Sequence, residues 1–185
     1  VLDLIHMDQS HCYNPFEYLE NENDVQRLVT NFFRATGNKN GVSGDNQFWE
    51  DTAQMYLMAM IFLLLERAPL EEQNFASVCE LVTRDMVQDE DDMGMGAAEP
   101  SPLAALFYQI ECERPDSIAL KYYKDCHTSA GKTMKSIQIS LLAHLNKFNL
   151  KAVADLTRVD EMHLERMGEE KTALFCVIPD NDTSF

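Results

Sequence analysis

The 185-residue chain carries 15 Lys and Arg against 31 Asp and Glu, a formal net charge of −16 at pH 7. That length suits one domain with a real core, and 45% hydrophobic residues with only 7 Gly and 6 Pro exclude wholesale disorder, collagen and low-complexity architectures. The acidity argues against the whole surface being a nucleic-acid glove, which needs an excess of Lys and Arg, and favours a basic protein partner.

Val1 to Ile5 alternates apolar and polar residues loosely, reads as a strand, and breaks at Asp8-Gln9-Ser10-His11 and Asn14-Pro15. Behind the polar start Asn21 to Asp24, Val25, Leu28, Val29, Phe32 and Phe33 recur at helical spacing until Gly37 and an Asn/Gly/Ser-rich loop running to Asn46. A long helix from about Gln47 to Arg67 follows, apolar nearly all round from Met55, as expected of the buried centre of a bundle. Pro69 stops it. A third helix begins near Asn74, with Phe75, Val78, Cys79, Val82 and Met86 on one face, and dissolves into the acidic run Asp89 to Asp92 and a flexible Gly94 to Pro100 loop. Ser101-Pro102 supplies an N-cap and N1 proline for a helix through Leu103, Leu106, Phe107 and Ile110. After Pro115, Asp116-Ser117 caps a helix bearing Ile118, Leu120, Tyr122 and Tyr123. Another spans Thr133 to Phe148, with Ile137, Leu141, His144 and Leu145 on its face. An acidic segment, Arg158 to Gly168, leads to Thr172–Ile178, a short apolar run closed by Pro179, read as a buried strand.

The fold class expected is mainly α, a bundle of about six to seven helices between two short terminal strands that can pair with each other. That layout is the signature of a domain inserted into a larger sheet. The start on Val1 rather than Met suggests a piece of a longer protein. The longest uninterrupted apolar run, Met55 to Leu65, has eleven residues, where a bilayer needs ~20. Neither a membrane span nor a signal peptide is therefore expected. Five dispersed cysteines without a CxxC pair suit a reducing compartment.

Ser129-Ala130-Gly131-Lys132-Thr133 copies the end of a phosphate-binding loop, but the required first glycine is replaced by Cys126 and the preceding residues read as helix, not strand. A helix break at Gly131 is the better reading. His6, Asp8, His11 and Cys12 are metal-capable types without a tetrahedral ligand spacing, so a turn cluster is expected. The Asp89–Asp92 run lacks the alternating oxygens of a calcium loop. One charge feature rises above background. Residues 114–151 hold seven Lys and Arg against Asp116 and Asp125, or +5, so that the remainder totals −21. Its Lys121, Tyr122, Lys124, Lys132, Lys135 and Lys147 are candidate contacts to a phosphate backbone or an acidic partner. The alternative is that these lysines neutralise the chain's own acidic helices.

Specific words in the sequence point further. Ser10-His11-Cys12-Tyr13-Asn14-Pro15-Phe16, then Asn23-Asp24-Val25 and Leu28-Val29, resemble a segment of the TraG-like coupling proteins of type IV secretion, conjugative DNA-transfer ATPases, especially their Gram-positive branch. Phe48-Trp49-Glu50, Gly131 to Ile137 with Ser140-Leu141, and Lys171 to Phe175 with Ile178-Pro179-Asp180 extend the resemblance in order along the chain. The resemblance implies that residues 1–19 and 169–185 belong to a flanking motor domain, and that 20–168 form the all-α substrate-recognition domain inserted between its Walker A and Walker B strands. Neither Walker motif is present, so the fragment is expected to be no enzyme, to carry no catalytic residue and to bind no cofactor or metal. ATP and Mg²⁺ would belong to the parent, a membrane-anchored hexamer. The implied partners are the relaxase, accessory relaxosome proteins or DNA, at the cytoplasmic face of the bacterial plasma membrane; the acidic balance favours protein, and the charge pattern would confine any DNA contact to 114–151.

Overall fold

A computed structural model describes residues 1–37, 44–91, 101–130 and 133–180. In chain order the elements are β1 (Leu2–Asp3), α1 (Glu22–Thr36), α2 (Gly44–Arg67), α3 (Phe75–Asp91), α4 (Pro102–Glu113), α5 (Ile118–Ala130), α6 (Met134–Leu145), α7 (Lys151–Leu156) and β2 (Cys176–Val177). Single 3₁₀ turns lie at Met7–Gln9, Pro15–Tyr18, Leu70–Glu72, Asn146–Asn149 and Leu164–Arg166. The fold is mainly α with two short terminal strands, as expected.

Helix boundaries follow side-chain chemistry. The Asn21 side chain accepts from the Asn23 N–H to start α1, Ser101 accepts from Ala104 with Pro102 in the first turn of α4, and Ser117 Oγ accepts from the Leu120 N–H to start α5. Gly37 ends α1 by donating its N–H to the Phe33 carbonyl. A Cβ there would lie 2.8 Å from that same oxygen, so the close approach requires glycine.

The core is built around α2. Tyr56, Leu57, Ala59, Met60 and Ile61 are fully buried on successive sides of the helix, the outcome of an apolar run with no polar stripe. The most extensive packing is against α5, followed by α6 and α1. Each such aliphatic side chain removed from water contributes about 1.5–3 kcal/mol, which is why the longest helix is also the innermost. The same core extends into an aromatic group that ties the ends of the bundle together. Phe75 meets Phe16 edge-on at 5.2 Å, Phe32 in a stack at 5.4 Å and Phe148 at 4.6 Å.

The two strands pair in parallel, Leu2 opposite Cys176 and Asp3 opposite Val177. The chain's ends pair as expected, but the second strand, expected to be buried, is exposed. Phe175 is 63% and Ile178 64% exposed, because among the described residues only β1 lies beside β2 and no layer covers either face. The strands are also shorter than the runs Val1–Ile5 and Thr172–Ile178. Helix bounds differ too. No Gly or Pro intervenes before Gly94, so α3 continues to Asp91. α6 stops at Leu145 and tightens into the 3₁₀ turn that carries Phe148. The sequence pattern marks no element over α7, which is six residues long and too short to show much periodicity. The loop expected to run to Asn46 is cut short by α2, which begins at Gly44; its residues 38–43, the Gly94–Pro100 loop and the helix break at Gly131 lie outside the described residues.

Candidate functional site

The basic block occupies α5, α6 and the turn after it. Lys121 and Lys124 are exposed and one turn apart on α5. Lys124 Nζ is 2.5 Å from Glu111 Oε1 on α4, and Lys151 pairs with Asp155 one turn along α7, so part of the block neutralises the chain's own acids. Tyr122 is half-buried, its ring stacked on Phe62 of α2 at 5.6 Å and 12°. Its neighbour Tyr123 stacks on Phe107 of α4 at 3.8 Å. Both rings are used to pack α5. Lys135 and Lys147 are half-buried near opposite ends of α6, roughly 18 Å apart along its axis at 1.5 Å per residue. Lys132 lies outside the described residues. The structure therefore brings Lys121 and Lys124 together and sets Lys147 apart.

Lys147 instead borders a cavity of about 580 Å³ between β1, α1, α6 and α7, whose walls include Leu2, Leu4, Phe32 and Leu156. Besides Lys147, the titratable groups His144 and Tyr13 line it. His144 Nδ1 lies 2.7 Å from Thr36 Oγ1 and its ring 4.5 Å from Phe33. Burial lowers its pKa, opposed by the nearby charge of Glu50. Burial, reinforced by Asp160, raises that of Tyr13. The volume is of the size that holds a small apolar group.

The family-like word Tyr13-Asn14-Pro15-Phe16 has a structural role that sequence reasoning did not reach. Asn14 is buried; its Oδ1 accepts from the Phe16 N–H while its Nδ2 donates to the carbonyls of Gln73 (2.9 Å) and Arg158 (3.4 Å). Opposite, Asp160 accepts four hydrogen bonds, from Tyr18 Oη (2.6 Å), the Asn14 N–H (3.2 Å) and the N–H groups of Met162 and His163. Cys12 donates its N–H to Glu161 Oε2 at 2.8 Å and accepts from the Glu161 N–H at 3.0 Å. These contacts clasp residues 12–18, 156–164 and the turn before α3. Desolvation, then the bond to Asp160, raises the Tyr18 pKa and keeps it a donor. Asn14-Pro15 was legible as a turn signal; nothing marked Asp160 as its partner.

A second polar group lies within the bundle. Asp85 of α3 accepts from Tyr56 Oη (3.0 Å), Gln138 Nε2 (2.8 Å) and Ser101 Oγ (2.5 Å). Gln138 Oε1 is buried and has no partner among the described residues. Burial raises the Tyr56 pKa, reinforced by Asp85. The signal for this network was a tyrosine and a glutamine inside otherwise apolar helical faces.

The loop residues His6, Asp8, His11 and Cys12 behave as a turn. His6 lies 3.5 Å from Asp3, and His11 Nδ1 approaches the Val1 amino group at 3.2 Å. Among the described residues no three His, Cys, Asp or Glu converge as metal ligands, and no helix is long and apolar enough to cross a membrane. Comparison with curated proteins and with solved structures finds no match. Comparison with protein families does: the family described as type IV secretory system conjugative DNA transfer matches residues 1–185.

Proposed function

The chain belongs to the type IV secretory system family of conjugative DNA transfer, and we propose that within it this segment is a substrate-recruitment domain that docks the relaxase and its accessory proteins to a DNA-pumping ATPase. In this reading residues 20–168 form the recruiting block, while 1–19 and 169–185 are strands and loops of the motor into which it is inserted. ATP, Mg²⁺ and catalysis belong to the motor, which is membrane-anchored and hexameric, and this segment works at the cytoplasmic face without hydrolysing ATP.

The observation that carries the reading is the parallel pairing of β1 with β2 across the whole helical block. Parallel strands need a long crossover and are ordinarily covered on both faces. Here the crossover is the bundle, and β2 is apolar and exposed on both faces while β1 is half-buried. Both features are those of a block looped out of a larger sheet.

The negative charge favours protein contact. With −16 overall and Lys124 committed to Glu111, the field presented to a partner is mainly acidic. Cognate relaxosome proteins should be retained by the immobilised segment at low ionic strength and released as salt is raised, since exposed charges are screened beyond ~10 Å at 0.1 M. No retention at low salt would reject the recruitment role. A mobility shift with DNA, abolished by charge reversal at Lys121, Lys124, Lys132 and Lys135, would favour the rival in which block 114–151 contacts DNA directly.

A further inference from the structure

The two edges of the strand pair differ. On its inner edge β1 donates from Leu2 to the Phe175 carbonyl (2.8 Å) and from Leu4 to the Val177 carbonyl (2.9 Å). Its outer edge is occupied by the chain itself. The Asp3 N–H donates to Ser10 Oγ at 2.8 Å, and the Val1 carbonyl accepts from the His11 N–H at 3.1 Å. Just beyond, Asp3 Oδ1 accepts the N–H groups of Ile5 and His6, which turns the chain out of the strand. These N–H bonds hold the Asp3 carboxyl below its ordinary pKa, His6 contributing most. A further strand cannot pair along β1 without displacing Ser10 and His11.

On β2 the alternation of a parallel ladder aims the Phe175 and Val177 carbonyls at β1 and leaves the N–H groups of Cys176 and Ile178 pointing the other way. Those two have no hydrogen-bond partner among the described residues. Side chains on both faces of β2 are apolar and open: Phe175 and Val177 on one, Leu174 and Ile178 on the other. Natural edge strands are blunted by charge, proline, bulges or covering loops, and strands apolar on both faces belong to sheet interiors. By these criteria β1 is built as an edge and β2 is not.

We propose that the Leu174–Ile178 edge of β2 is a docking surface for one further β-strand, an apolar strand of the ATPase motor, so that the sheet grows from β2 while β1 remains its edge. This deepens the reading of residues 1–19 and 169–185 as motor strands and rests on it. Pro179, which lacks an N–H, limits how far the added pairing runs.

Backbone hydrogen exchange decides the matter, comparing residues 1–185 alone with the same segment inside the full-length natural chain. The amides of Cys176 and Ile178 should exchange at near-intrinsic rates in the segment and at least ~100-fold slower in the full-length chain. The Asp3 amide should be equally protected in both and lose protection in each on Ser10→Ala. Alkylation of the exposed Cys176 thiol by iodoacetamide, with exposed Cys112 as reference, should slow in the full-length chain. If full length instead adds protection on the β1 side, beyond what Ser10 supplies, and leaves Cys176 and Ile178 fast, the direction of growth is wrong while the motor-strand reading survives. If neither edge gains protection, both are overturned.

Discussion

At Asp85 three donors meet one carboxylate inside the bundle, and the consequences of removing either side differ. Asp85→Ala leaves the Tyr56 hydroxyl, the Gln138 amide and the Ser101 hydroxyl without their acceptor. A buried donor stripped of its partner costs about 1–3 kcal/mol, and solvent reaching the half-buried Ser101 recovers part of that. The expected loss is ~2–4 kcal/mol in a urea-unfolding experiment. Gln138→Met should cost less, because it also deletes Oε1, which is already unpaired. Equal losses for the two variants would show that side-chain volume, not hydrogen bonding, sets the stability at this point. His144 carries a second prediction. Burial holds its folded pKa below the unfolded value of about 6.5. Between those two values the unfolded state binds a proton that the folded state refuses, so stability falls as pH drops through that window and levels off below it. Glu50 opposes the shift, which keeps the window narrow. His144→Gln should flatten the slope in a series of melts between pH 7 and 5.

The α2–α5 contact explains which elements could be read in advance. Small residues on α5, Ala119, Cys126 and Ala130, are all buried, and the Cys126 thiol reaches the Thr52 carbonyl of α2 at 3.7 Å. The backbones can approach because these side chains are small. Cys126→Leu forces extra methylenes into a filled space and should cost about 1–3 kcal/mol, whereas Cys126→Ala should cost less. Burial pushes the Cys126 thiol up to about 12 and Cys79 to about 11, so both should resist alkylation until the protein unfolds, while Cys112 and Cys176 react in the native state. Helices of this kind were legible because twelve or more residues repeat one apolar face. α7 gave too few turns for a period. The second strand misled for a different reason. An apolar run such as Thr172–Ile178 indicates that the side chains belong in an interior, but not whether this segment supplies that interior.

At the scale of the molecule, charge and connectivity divide the chain in different ways. Residues 1–113 carry −16, 114–151 carry +5 and 152–185 carry −5, yet the folded chain brings the first and last of these together through the clasp around Asn14 and Asp160. Asp160 and Asn14 are 146 residues apart. A local pattern cannot reveal such a pairing, which is why the motif was visible from Ser10 to Phe16 and its partner was not. The clasp joins the strand pair to the helical block and reaches the block's core through Phe16, but the hydrogen bonds of Asn14 and Asp160 go to turns and chain ends, whereas the α2 core is held by apolar packing. Cutting it should therefore separate the two. In Asp160→Ala the Tyr18 hydroxyl and three backbone N–H groups lose their acceptor. The Leu2 and Leu4 amides, paired to β2, should then exchange ~10-fold or more faster, while the central amides of α2 change by less than ~2-fold. Tyr18→Phe, which removes one of the four donors, should show the same pattern in weaker form. If the α2 amides accelerate together with Leu2 and Leu4, the clasp is part of one cooperative unit. The helical block could then not shift relative to its strands without loosening the core.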